Sequence, residues 1–172
     1  MVDWQEISQQ YGPLVWRTAY RLLGSDADAA DCFQETFLSA LGISRRQQVQ
    51  NWAALLQHLA TARALDCLRR RKREVTRFPE PPNWELVPST YLGPERLAQD
   101  SELLQALRSA LTQLPAQQSE VFCLRHLNNL KYEEIADELG ISVDGVGMAL
   151  HRARGRLREL LVWACPVQRE KR

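Results

Sequence analysis

Up to residue 77 the apolar positions recur at intervals of three and four, which is the period of helices and not of strands. Val15, Tyr20 and Leu23 mark a first helix; Phe33, Phe37, Leu38 and Leu41 mark a second. Gly24 is a stop between them, and Ser25 or Asp26 caps the second helix, whose first turn is acidic. A polar loop, "SRRQQVQN", follows Gly42 and leads into a long helix from about Trp52 to Arg73. Leu55, Leu56, Leu59, Ala62, Leu65 and Leu68 form a stripe along it that faces a core.

Periodicity fails in "PEPPNWELVPSTYLGP", which holds five of the eight prolines and reads as a linker over residues 78–100. About twenty Pro-rich residues at ~3.1 Å each reach roughly 60–70 Å, and two turns of DNA measure about 70 Å. Two halves so joined are expected to engage sites nearly two turns apart. A second helical set starts at Asp100 or Ser101 with Leu103, Leu104, Leu107, Leu111 and Leu114, ending at Pro115. The next helix carries Val121, Phe122, Leu124 and Leu127; "NNL" turns the chain, and "YEEIADEL", "GIS" and residues 143–162 follow as short helix, tight turn and long helix. Ala136, Gly140 and Val146 stand where a helix-turn-helix needs a small crossing residue, a turn glycine and an apolar anchor. The fold class is all-α: two small helical domains, 1–77 and 101–165, with a Pro-rich linker between them and a tail at 166–172.

A net charge of +1 conceals an alternation. Lys and Arg minus Asp and Glu give 2 − 6 = −4 for residues 1–44, 9 − 2 = +7 for 45–77, 4 − 10 = −6 for 78–142 and 7 − 3 = +4 for 143–172. Two basic blocks with an acidic spacer suggest two anchoring points on one polyanion. Cys32, Cys67, Cys123 and Cys165 are scattered, with no C-x-x-C pair, and read as small buried hydrophobes; no metal is expected. The start "MVDWQEISQQ" is polar and no apolar run reaches twenty residues, so a cytoplasmic protein without membrane insertion is expected. No phosphate-cradling glycine loop or Ser-His-Asp grouping is visible, and His58, His126 and His151 lie on separate helices. Neither an enzyme nor a cofactor is expected.

Three surfaces carry candidate chemistry. In "DADAADCFQETF", Asp28, Asp31 and Glu35 share one helix face beside Gln34, with Phe33 and Phe37 turned inward. Such a like-charge row costs a few tenths of a kcal/mol per pair, which an incoming basic partner would relieve. In "CLRRRKREVTR", Arg69, Arg70, Arg71, Lys72 and Arg73 wrap around a helix end and suit a polyanion contact, not a base code. The last helix has glycine at 145, 147 and 155, each costing about 1 kcal/mol relative to alanine, so packing must hold it.

The stretches "DADAADCFQETFLSAL", "HLATARALDCLRRRKR" and "LTQLPAQQSEVFCLRHLNNLKYEEIADELGISVDGVGMALHRARGRLREL" resemble, in this order, conserved segments of bacterial extracytoplasmic-function (ECF, group IV) sigma factors of the sigma-70 family. The resemblance covers residues 4–77 and 101–163. It implies that the first domain docks on the core RNA polymerase clamp, in the beta-prime subunit, and opens the promoter minus-ten element. The second domain would meet the flap of the beta subunit and read the minus-thirty-five element. Asp31, Gln34 and Glu35 match the family's D-x-x-Q-E, with Asp28 and Leu38 beside them as implied core-polymerase contacts. Arg45, Arg46, Arg63 and the run Arg69 to Arg73 are the implied minus-ten contacts. The family's A-R-N triplet is Ala60, Thr61 and Ala62 here, and its G-T-V-K-S-R-L-H-R-A-R becomes D-G-V-G-M-A-L-H-R-A-R from Asp144, so three polar readers are gone. Ser142, Val143, Asp144, Gly147, Met148, His151, Arg152 and Arg154 remain as implied helix-turn-helix contacts. Close backbone approach and phosphate contacts would replace much of the base readout.

The resulting reading is a sigma factor that joins core polymerase, recognises promoter DNA and helps melt it, with an anti-sigma protein as a further partner the family implies. Two others stay open on sequence grounds: a helix-turn-helix regulator that works without polymerase, and a sigma-like decoy that binds an anti-sigma protein and no promoter.

Overall fold

The computed structural model describes residues 2–77 and 94–162, with side chains over 2–76 and 102–162. Seven helices occur among them, and no strand: α1 Trp4–Leu23, α2 Asp26–Ser44, α3 Trp52–Arg77, α4 Pro94–Leu111, α5 Ala116–His126, α6 Tyr132–Leu139 and α7 Val143–Leu161. None of the described helices is long and apolar enough to cross a membrane.

Local chemistry sets most boundaries. Asp3 accepts from the Gln5 and Glu6 N–H groups at 2.9 and 3.1 Å and starts α1. Gly24, at φ 68°, closes it with a 2.8 Å bond to the Tyr20 carbonyl. Ser25 caps α2, settling the choice between Ser25 and Asp26. Gly42 does not stop that helix, which continues to Ser44, because nothing there requires a left-handed residue. Asn51 caps α3 through its side-chain oxygen, 3.0 Å from the Ala54 N–H. The Glu134 carboxylate accepts from the Lys131 N–H at 2.7 Å at the start of α6, Gly140 ends it at φ 62°, and Ser142 caps α7 on the Gly145 N–H at 3.0 Å.

One expectation needs correction. The linker was placed over 78–100, yet α4 begins at Pro94, where a proline at the first helical position loses no hydrogen bond. Residues 78–93 and the tail at 166–172, with Cys165, lie outside the described residues. The two domains also pack against one another. α1, α2 and α3 pack around Val15, Ala40, Leu56 and Ala60, with Phe33, Phe37 and an edge-to-face Trp4–Trp52 pair at its border. α5, α6 and α7 pack around Val121, Leu124, Ile135, Val146 and Leu150, and Ala54 of α3 joins them. A third cluster unites the halves: Ala19, Leu22, Leu65 and Leu68 meet Leu111, Leu114, Cys123, Ala153 and Leu157.

The reason lies in α3. Its buried positions are not one stripe: Ala54, Leu55, Leu56 and Gln57 are all buried in succession, followed by Ala60, Thr61, Ala64, Leu65 and Leu68. Leu59 and Ala62, assigned to the stripe by period, are only half-buried. A helix apolar on two sides must be covered on two sides, so α3 serves as the shared wall of both halves.

Candidate functional site

The acidic face is built on α2, which lies against α1 and α3. Asp31, Gln34 and Glu35 are exposed and Leu38 is 67 % exposed, while Phe33 and Phe37 pack inward 4.8 Å apart. The expected row of unrelieved carboxylates is partly relieved within the chain. Glu35 pairs with Arg63 at 3.0 Å, whose other nitrogen donates to Ser39 at 2.7 Å, and Asp28 pairs with Arg71. Asp31, Gln34 and Leu38 remain presented outward.

The implied minus-ten residues divide accordingly. Arg45 and Arg46 are exposed just after α2, and Arg70, Lys72 and Arg73 are exposed around the end of α3. Arg63 and Arg71 are committed to α2 carboxylates, and Arg69 to Asp66 at 3.2 Å and to Ser119 of α5 at 2.6 Å. One cationic helix end therefore serves three masters in this conformation.

On α7, Val143, Asp144, Met148, His151 and Arg152 are exposed, with Met148 at 56 %, and Ser142 is spent on its cap. Gly147 lies beside Tyr132, where an added Cβ would meet ring carbon Cε2 at an ordinary 3.9 Å; the space is not what demands glycine. Ala149, which replaces the family's arginine, is buried in the second core. Arg154 turns back onto α5, with its guanidinium 3.2 and 3.4 Å from His126 Nε2. Burial, and then Arg154 and Arg125, push the His126 pKa down, so the ring accepts from Arg154 as a neutral imidazole.

Of the thiols, Cys32 and Cys123 are buried and pushed up to about 11 and about 12 by burial, which keeps them protonated, inert core residues. Among the described residues no group of His, Cys, Asp or Glu is arranged to hold a metal.

Known proteins match this arrangement domain by domain. Residues 7–74 match the model "Sigma-70 region 2", and residues 104–157 match "Sigma-70, region 4". The chain is 30 % identical to the RNA polymerase sigma factor YlaC of Bacillus subtilis, covering 90 % of each protein. This chain belongs to the ECF group of the sigma-70 family. The sigma factor is also 35 % identical to the ECF factor SigE of Mycolicibacterium smegmatis over 94 % of its own length, and it spans 62 % of that relative. Against SigW of Bacillus subtilis the identity is 26 %, covering 91 % of this sigma factor and 87 % of SigW. Among solved structures it resembles the sigma factor RpoE in complex with the anti-sigma factor NepR from Bartonella quintana. The TM-score is 0.59 at 24 % identity, over 93 % of this chain and 97 % of that one. CnrH in complex with the cytosolic domain of CnrY gives 0.58 at 22 % identity, over 92 % and 87 %.

Sequence reasoning missed two surfaces of this sigma factor. Trp16, Tyr20 and Phe33 form an apolar patch rimmed by Arg17 and Arg21; the i,i+4 pair of aromatics flanked by arginines was its signal. Asn128 links α5 to α1 and α3, and nothing in the dipeptide "NN" indicates which helices it joins.

Proposed function

We propose that this sigma factor binds core RNA polymerase through α2, with Asp31, Gln34 and Leu38 as the first contacts and Glu35 and Asp28 joining when their arginine partners leave. It then directs polymerase to promoter DNA, helps separate the strands and supports initiation from the cytoplasm. The chemistry of RNA synthesis belongs to the polymerase. The observation that carries the reading is the pairing of an outward acidic face on one domain with a helix-turn-helix on the other, in the order of regions 2 and 4.

Within it, Arg45 and Arg46 just after α2 and the cationic end of α3 from Arg69 to Arg73 supply sequence-tolerant contacts. α7 enters a groove with Val143, Asp144, Gly147 and Met148 near the bases and with His151 and Arg152 toward phosphates; Asp144 is placed to accept from a cytosine amino group. The test is reconstituted transcription. Adding the chain to sigma-free core enzyme is expected to produce transcripts with defined starts on a genomic fragment library, and Asp31→Ala with Leu38→Ala to abolish core co-purification. Random starts, or core binding indifferent to both substitutions, would remove the proposal.

A further inference from the structure

Successive residues of α7 advance by about 100° around its axis. Val146, Ala149, Leu150, Ala153 and Leu157 are buried and fix the side that rests on the second domain. The opposite side therefore runs Asp144, Met148, His151 and Gly155, at spacings of four, three and four, and all four are exposed. Met148 stands inside that row with 56 % of its surface in water, and Val143, one turn before Gly147, is 42 % exposed at its edge. A flexible thioether held outward among polar neighbours contributes no packing to the fold; its position on the face that meets a groove is what gives it meaning.

The donors missing from this face narrow what it can read. From Val143 to Leu150 no side chain carries a hydrogen-bond donor. The nearest are the Ser142 hydroxyl, engaged on the Gly145 N–H at 3.0 Å, and His151 and Arg152 further along. In the major groove guanine shows two acceptors, N7 and O6, and the start of α7 has no side chain to answer them. Thymine shows a C5 methyl and cytosine an amino donor, which an apolar group and a carboxylate do answer. Adenine also has an amino group, but beside the N7 acceptor, which a carboxylate opposes. Asp144 and Met148 are one turn apart, about 6 Å along the axis, and base pairs stack at ~3.4 Å. The two side chains thus address bases no more than about two steps apart.

Gly147 leaves room for a methyl group between Val143 and Met148. The Tyr132 ring stands beside it, with Cε2 3.9 Å from where a Cβ would lie. That ring is itself held in place: it packs on the second core, and the Arg125 guanidinium lies 5.7 Å from its centre while donating to the Leu130 carbonyl at 3.0 Å. Val143, Gly147, Met148 and Tyr132 together form a shallow apolar step at the leading end of the helix-turn-helix, within the part of the chain that matches region 4.

We propose that Met148 reads thymine through its C5 methyl, as the apolar half of a two-part readout whose polar half is Asp144 on a cytosine amino group. The promoter strand facing the start of α7 is then fixed at pyrimidines. This deepens the sigma-factor reading and rests on it. The polar readers absent from α7 are exchanged for a readout that needs no side-chain donor.

The experiment uses holoenzyme assembled from the full-length chain and sigma-free core, with promoter duplexes recovered from a library randomised over the upstream element. The recovered duplexes are expected to hold a fixed thymine with a fixed cytosine within about two base pairs of it. Each fixed thymine is then replaced by deoxyuridine, which lacks only the methyl. At one of them wild-type affinity is expected to fall about fourfold, the worth of one buried methyl. Met148→Ala is expected to bind thymine and uracil equally, and Met148→Leu, which keeps an apolar group of similar size, to retain the preference. Met148 is exposed, so neither substitution opens a core, and circular dichroism of the full chain checks the helices. Guanine fixed in place of those pyrimidines, uracil tolerated at every position by the wild type, or a thymine preference that survives Met148→Ala would each overturn the proposal. Duplexes recovered with no fixed base upstream overturn it as well, while defined starts on them leave the sigma-factor reading in place. A chain that does not join core removes that reading; the free chain is then put on the same library, where the uracil comparison decides and an absence of binding counts against the proposal.

Discussion

Gly155 faces open space: a Cβ added there meets nothing within 4 Å. Gly155→Ala is therefore expected to stabilise the chain by about 1 kcal/mol, measured by urea or thermal unfolding. Gly147→Ala should gain a similar amount, because its Cβ would make only an ordinary contact with Tyr132. If close backbone approach to DNA is why glycine sits there, the same substitution weakens DNA binding while raising the unfolding midpoint; a variant both more stable and equally tight would dismiss that role. His126 gives a pH prediction. Burial and the two arginines lower its pKa in the folded state, so the unfolded chain binds the proton more readily below about pH 6.5. Stability is expected to fall as pH drops through that range, and His126→Gln to flatten this part of the profile.

At the scale of the element, α7 keeps its helix despite three glycines because Val146, Leu150, Ala153 and Leu157 are buried along one side. Its outer side divides the arginines. Arg152 is exposed with no protein partner among the described residues, whereas Arg154 leans on His126. Both were expected to hold phosphates. Arg152→Ala is now expected to lower affinity on every DNA sequence and reduce the slope of log affinity against log salt by about 1, with Arg154→Ala producing less. An equal loss from both, measured by titration at several salt concentrations, would show that Arg154 leaves His126 on binding. The Glu35–Arg63 pair is solvent-exposed and the Asp28–Arg71 pair half-buried, and such pairs near the surface are worth ~0–1 kcal/mol each. Either pair can therefore be exchanged for another partner at little cost.

For the whole molecule, α3 is a wall shared by the two halves. Leu65 is fully buried in the cluster that contains residues of α1, α3, α4, α5 and α7. Leu65→Ala is expected to cost 2–5 kcal/mol and to shift a single cooperative unfolding transition. Two separated transitions, one of them unmoved by the substitution, would mean that the halves unfold independently. The alternating charge blocks also change meaning at this scale. The sequence suggested two anchors on one polyanion; in the fold Arg63, Arg71 and Arg69 of the first are paired with Glu35, Asp28 and Asp66, while Arg152 of the second, on α7, stays exposed.

Sequence alone determined what depends on neighbours in the chain: the helices, the stops at Gly24 and Gly140, the cap at Ser142, and the outward acid row of α2. Each follows from the 3.6-residue period or from a side chain reaching its own backbone. The helix-turn-helix was legible for the same reason, since Ala136, Gly140 and Val146 act within eleven residues. Tertiary structure decided which second face of α3 is covered, which arginines are already paired, and what Asn128 holds. Those outcomes depend on groups up to 110 residues apart, and no local period encodes which distant surface will bury them.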